Sequence, residues 1–357
     1  MSYDDEEDYD EAPKPKKKAA AKEPVDAGES QSPLNTLSIT GYNAIEAQLV
    51  GAFNEGKLPH GLIFAGEGGR GKETMAFRLA RALLSTRKAR PFTDLSVADD
   101  DPIINRLISG AHPDFQAVRR RNKKDKAELS NDIIIDSVRE ASHFLGFKPV
   151  ESDWRVVIVD EAHLMNTEAQ NAFLKTLEEP PPQTLLILIA HQPSRLLATI
   201  RSRAQVVNFP ALPATTLMNE AGSALMALPR ETQDIVIRLA RGGVGAMKRL
   251  LDPALVTGIE RIRVILQPNT PTADVYALAE SWATSQLGGT EPMLLLEEVV
   301  MDHLNHKLRN GLDVAETKDN TLEAIEAAQD LFTTARHKYL DKRQVIRQAF
   351  AILREAG

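Results

Sequence analysis

Read for the alternation of apolar and polar positions, the chain divides into a charged leader, a stretch of strands and helices in turn, and a long run of helical periodicity. From Pro33 to about Pro210, short apolar runs bounded by Gly, Pro or charged residues alternate with amphipathic stretches. Strands buried on both faces read in this way, so the pattern predicts an α/β fold, a parallel sheet covered by helices. Five strands are expected, at Gly61–Ala65, Phe115–Val118, Val156–Asp160, Leu185–Ala190 and Gln205–Phe209. The helix that opens at Lys72 repeats Met75, Leu79, Ala80, Leu83 and Leu84 at helical spacing, so one apolar face should lie on the sheet. Another helix follows Asn166, a residue suited to cap it, and runs from Thr167 to Glu178 before Pro180-Pro181-Pro182 ends it.

After Pro210 only helical periodicity remains. Leu217–Leu228, Ile235–Leu251 and Met293–Leu308 each predict a helix, with Pro253, Pro268 and Pro271 as breaks. The leader is acidic from Asp4 to Glu11 apart from Tyr9, then basic at Lys14, Lys16, Lys17 and Lys18. It holds too little apolar surface to offset chain entropy, so a disordered tail is expected. The predicted organisation is a tail over residues 1–33, a sheet domain over 34–210, a small helical domain over 211–251 and a longer helical domain over 252–357.

Composition narrows the function classes. With 43% hydrophobic and 26% charged residues in 357, the chain reads as soluble and globular, and its start lacks the apolar stretch of a secretory signal. No apolar run approaches the roughly 18 residues that cross a bilayer. The lack of cysteine removes disulfides and thiolate zinc sites, and a cytoplasmic protein without membrane contact and without zinc is expected. A net charge of −7 argues against nucleic-acid binding by bulk positive charge. One local basic patch stands out: Arg119 to Lys126 carries six basic residues in eight, either a contact for DNA phosphates or a solvated loop.

Two motifs carry candidate chemistry. Gly66-Glu67-Gly68-Gly69-Arg70-Gly71-Lys72 follows a strand and opens a helix, the setting in which backbone N–H groups wrap a phosphate. The eighth position of this P-loop pattern should be Ser or Thr, whose hydroxyl ligates magnesium, yet it is Glu73, with Thr74 one place late and about 100° round the helix. A Glu73 carboxylate is itself a hard ligand, but its longer arm and its charge would stand beside the polyphosphate. Three readings follow: hydrolysis, weak or structural nucleotide binding, or a strand-to-helix turn that binds nothing. ATP with magnesium is therefore a doubtful cofactor for this chain. Roughly ninety residues on, Val156–Val159 ends in Asp160 and Glu161, the Walker B form, in which one carboxylate holds magnesium and the other polarises water. Asp160-Glu161-Ala162-His163 also spells a helicase box, but such helicases need two nucleotide domains and one is present. His191 closes the fourth expected strand, either as a γ-phosphate sensor or as a local hydrogen-bonding group.

The segment Asn171-Ala172-Phe173-Leu174-Lys175-Thr176-Leu177-Glu178-Glu179-Pro180-Pro181, followed by Ile200-Arg201-Ser202-Arg203-Ala204, resembles bacterial clamp loader subunits of DNA polymerase III. Leu58-Pro59-His60-Gly61 and His112-Pro113-Asp114 extend the likeness, which covers about residues 33–210. It implies an AAA+-type nucleotide-binding-like domain, a helical lid and a C-terminal helical collar that oligomerises. Three departures point to the delta prime branch rather than the tau/gamma motor: Glu73, Ala246-Met247 after Gly242-Gly243-Val244-Gly245, where the motor's arginine is looked for, and the missing zinc cysteines between the P-loop helix and the second strand. Residues 85–113 must then hold together without metal or be partly flexible. Where the family carries a Ser-Arg-Cys motif, this chain reads Ser202-Arg203-Ala204. The resemblance implies a stator without catalysis of its own, in a hetero-pentamer with tau/gamma and delta subunits that places the sliding clamp on primer–template DNA. Arg203 is then an arginine finger offered in trans. The rivals are an ATP-hydrolysing motor and an AAA+ interaction module outside replication.

Overall fold

A computed structural model describes residues 34–120, 132–267, 270–283, 292–310, 315–338 and 340–355; the expected tail, Pro268 and the rest of the basic run after Arg120 lie outside them. The sheet half is built from α1 (Asn43–Asn54), β1 (Gly61–Ala65), α2 (Lys72–Leu84), α3 (Ile103–Ile108), β2 (Phe115–Val118), α4 (Ile135–Leu145), β3 (Arg155–Val159), α5 (Thr167–Glu178), β4 (Thr184–Ala190), α6 (Ala198–Arg201) and β5 (Gln205–Asn208). Helices follow: α7 (Ala214–Met226), α8 (Arg230–Leu239), α9 (Val244–Leu250), α10 (Pro253–Ile265), α11 (Thr272–Ala283), α12 (Pro292–Asn310), α13 (Ala315–Lys338) and α14 (Lys342–Glu355).

All five strands lie where the apolar runs predict, within a residue at each end, and pair in parallel in the order β2-β3-β4-β1-β5. Because side chains alternate across a strand, successive residues feed two cores. Leu62, Phe64, Val156, Ile158, Ile187 and Ile189 face α1 and α2, whereas Ile63, Ala65, Val157, Val159, Leu186 and Leu188 face α4 and α5. The first core continues through α7 to α14, taking in Trp282, Leu296, Phe332 and Phe350.

Two expectations change. The α2 helix buries nearly every residue rather than one face, because the segment before α1 crosses its outer side. Arg78 donates to the Leu37 carbonyl and pairs with Glu46, and Arg81 donates to the carbonyls of Leu34 and Thr36. The single helix expected over Ile235–Leu251 is two, α8 and α9, split where Arg241 and Gly242 take left-handed backbone (φ 46° and 77°). A Cβ on Gly242 would stand 2.5 Å from that of Ala211, so close approach of the chain to the sheet requires the break. Pro253 marks a break as expected, between α9 and α10, and begins the second of these with Asp252 as its cap.

Residues 85–113 are held by ordinary packing. Phe92 stacks on Phe53 with centroids 4.2 Å apart, its backbone N–H donates to the Asn54 side chain at 2.8 Å, and Ser85 donates to Asp101 at 2.5 Å. Lys88 bridges to Asp94 at 3.0 Å.

At the end of β5, Phe209 is 1% exposed and packs its ring 5.1 Å from Tyr42 and 5.2 Å from Phe64, joining α1, the sheet and the lead into α7. Phe209→Ala is expected to lower unfolding free energy by about 3–5 kcal/mol, read by denaturant titration, with the helical circular dichroism retained.

Candidate functional site

The carboxyl ends of β1, β3 and β4 meet on one edge of the sheet, the place where a parallel α/β sheet offers a crevice. Gly66 (φ 144°), Gly69 (φ 75°) and Gly71 (φ 73°) make the turn from β1 into α2. Each sits where a side chain would collide: a Cβ on Gly66 would meet the Phe209 carbonyl at 2.7 Å and one on Gly69 the Ala246 backbone at 2.5 Å. Lys72 is 3% exposed and donates to the Glu67 carbonyl at 2.6 Å. Burial, then the nearby Arg70 guanidinium, lower its ammonium to about 8.

The start of α9 closes over the loop. Gly245 N–H donates to the Gly69 carbonyl at 3.0 Å, and Arg70 donates to the Arg241 carbonyl at 2.9 Å. Ala246 packs directly against Gly69, its backbone nitrogen 2.5 Å from where a Cβ on that glycine would stand.

Glu73 begins α2 next to the Walker B carboxylates, while Thr74 is buried at 8% exposure. Glu73 pairs with Arg119, whose Nε lies 3.9 Å from Asp160 Oδ2. Arg120 Nε donates to Glu161 Oε2 at 2.7 Å. These contacts follow from register. Val118 of β2 stands opposite Val159 of β3, so Arg119 and Arg120 leave one strand at the level at which Asp160 and Glu161 leave the next. Asp160 N–H fixes that level by donating to the Val118 carbonyl at 3.0 Å. Burial, and next the charge of Asp160, raise the Glu73 carboxyl to about 7 against the pull of Arg119. Burial likewise raises Asp160, again opposed by Arg119.

Arg119 and Arg120 are the residues that sequence reasoning missed. They were read within a basic run facing DNA or solvent, and they turn instead onto the two Walker B carboxylates. The signal was two basic residues directly after a strand expected beside one that ends in Asp-Glu; the missing information was which strands are neighbours.

His191 ends β4 beside the loop: a Cβ on Gly68 would stand 3.6 Å from its Cε1. Its ring lies 5.0 Å from that of His163, and its backbone N–H donates to His163 Nδ1 at 3.3 Å. Burial chiefly lowers both imidazoles to about 4, His191 also feeling Lys72, so both are neutral at physiological pH.

Arg203 is in a different place. It precedes β5, whose Gln205 pairs with Leu62 at the amino end of β1. The phosphate loop lies beyond the carboxyl end of β1, roughly 16 Å away along five residues of strand. Arg203 is exposed, bridges to Glu178 at 2.7 Å and donates to the Thr199 carbonyl at 3.2 Å. It is outside its own chain's site.

The residues present do not fit a magnesium nucleotide. The hydroxyl that would ligate the metal is replaced by a carboxylate, that carboxylate and Asp160 already share a guanidinium, and Lys72 is bonded to its own loop. No helix among the described residues is long and apolar enough to cross a membrane.

The sheet order, the loop after β1 and the acidic pair after β3 define an AAA+-type domain with an altered phosphate site. Residues 41–213 match the family model described as DNA polymerase III, delta subunit. The chain is 30% identical over 227 residues to the DNA polymerase III subunit delta' of Pseudomonas aeruginosa, covering 62% of this chain and 65% of that one. It is 29% identical over 231 residues to the delta' subunit of Escherichia coli, covering 65% and 66%. To the gamma/tau subunit of Mycobacterium bovis it is 31% identical over 205 residues, covering 57% of this chain and 33% of that one. A solved DNA polymerase III gamma subunit-related protein from Thermotoga maritima overlays loosely, with TM-score 0.46 and 14% identity over 86% of this chain and 99% of that one. Over its sheet domain the chain is similar to clamp-loader subunits of DNA polymerase III, and it spans just under two thirds of the length of the delta' subunits it matches.

The neutral His163–His191 pair makes a pH prediction. An imidazole held near 4 in the fold and near 6.5 in the unfolded chain contributes fully above 6.5, and the contribution is lost as pH falls toward 4. His163→Gln should lessen the loss of stability between about pH 7 and 5 by about 1 kcal/mol relative to the parent, measured by urea unfolding at each pH. Parallel curves would contradict it.

Proposed function

We propose that this chain is the delta prime-type, non-motor subunit of a DNA polymerase III clamp loader, which acts in the assembled ring rather than by hydrolysing nucleotide itself. The observation that carries the reading is the internal charge cluster of Glu73, Asp160 and Arg119 at the place where a motor would hold magnesium. The relatives' names supply the complex: delta' and gamma/tau subunits of DNA polymerase III. In this reading tau/gamma motors and a delta subunit are the partners, with the clamp and primed DNA reached through the assembly. The sheet domain meets a neighbouring motor, α7 to α9 form the lid, and the helices from α10 onward form the collar.

Arg203 is the residue offered to the neighbour's nucleotide. It stands at the end of the sheet away from its own loop, so its guanidinium is free to serve only another chain's phosphate. Its bond to Glu178 is an exposed ion pair worth about 0–1 kcal/mol, small enough to exchange for a phosphate contact. A planar guanidinium fixed beside a γ-phosphate stabilises the charge that spreads over its oxygens during transfer. Local motor activity, the rival reading, finds no support in a site whose metal position is filled by side chains.

Arg203→Ala is expected to lower the ATPase of the reconstituted loader several-fold, while the subunit still co-elutes with its partners and its own stability changes by less than about 1 kcal/mol. Unchanged turnover in an intact complex would sink the arginine-finger role.

A further inference from the structure

We propose that the guanidinium of Arg119 occupies the place of the divalent cation in this site, so that magnesium nucleotide is excluded by two residues, Glu73 and Arg119, acting as a pair. The inference rests on the reading of the chain as a subunit that hydrolyses nothing itself, and it goes further by naming what fills the site.

The geometry is specific. Arg119 leaves β2 level with Asp160, reaches across the end of the sheet and meets Glu73 on the first turn of α2, with Asp160 Oδ2 3.9 Å from its Nε. Its guanidinium carbon lies 6.0 Å from the centre of the Phe77 ring, one turn beyond Glu73, so one face of α2 supplies both the charge partner and an aromatic platform. Arg120 holds Glu161, the second Walker B carboxylate, in the same way. The site thus sets two basic side chains from β2 against three carboxylates.

A magnesium ion in such a site would be held by a loop hydroxyl and would balance the charge of an acidic residue and of phosphate oxygens. Here two carboxylates flank one guanidinium, and removing only one of the three leaves a defined imbalance. Without Glu73, Arg119 keeps only Asp160 as a partner, 3.9 Å away, so the site near Lys72 gains net positive charge while Asp160 stays engaged, a set that attracts a bare polyphosphate and offers a divalent cation no free carboxylate. Without both Glu73 and Arg119, Asp160 and a restored hydroxyl are free to hold the metal. The sign of the magnesium effect therefore reports whether Arg119 stands in the cation's place.

The test is calorimetric titration of ATP into the full chain, with magnesium or with EDTA, for the parent, Glu73→Thr and Glu73→Thr/Arg119→Ala. The parent should bind in neither condition. Glu73→Thr should bind ATP with affinities in EDTA and in magnesium within about threefold of each other, and the double variant should bind about tenfold or more tightly with magnesium than without. The proposal is overturned if Glu73→Thr requires magnesium as strongly as the double variant does, or if the folded double variant binds in neither condition. Should the double variant fail to fold, Glu73→Thr/Arg119→Gln replaces it, since the longer side chain still covers Phe77. Loss of the Arg203 effect in the assembled loader would count against the subunit's role in the ring and leave these titrations unchanged, so the two ideas fail separately.

Discussion

Charge balance at the carboxyl end of the sheet is the constraint on which the rest of this site depends. Three carboxylates, Glu73, Asp160 and Glu161, converge there because α2 begins and β3 ends at the same end of a parallel sheet, with β4 between β1 and β3. Like charges in a partly desolvated crevice repel, and burial raises the protonation of two of them. Arg119 and Arg120 relieve that repulsion from the adjacent strand. A nucleotide-binding architecture is thereby kept as a self-neutralised joint between the sheet and α2.

The same joint organises the molecule beyond the loop. Gly69 accepts from Gly245, and Arg70 binds the backbone of Arg241, so the phosphate loop is bonded to the first helices after the sheet. Backbone contacts and the glycines that permit them hold this seam shut. Arg203 stands at the opposite edge, outside this network and exposed, where movement costs little. The chain thus has a closed end and an open end, separated by the length of its strands.

Much of this was legible in the order of residues. Strands buried on both faces need unbroken apolar runs, so β1, β3 and β4 announced themselves, as did the cap at Asn166, where a side chain replaces a missing helical partner. The Glu73 lesion was readable because the P-loop assigns chemistry to a fixed position. The all-round burial of α2 was not, since its outer cover comes from residues some forty positions earlier. Nor was the split between α8 and α9, which is set by contact with Ala211 rather than by local propensity.

Sequence by itself determined the class of fold, the altered loop and the acidic pair, because each depends on residues close together in the chain. Tertiary structure decided what the altered loop faces. Arg119 lies 46 residues from Glu73 and 41 from Asp160, and only the parallel pairing of β2 with β3 brings its charge to them. In the linear chain it is the first of six basic residues with no stated partner. In the fold it pairs with Glu73 and stands 3.9 Å from Asp160.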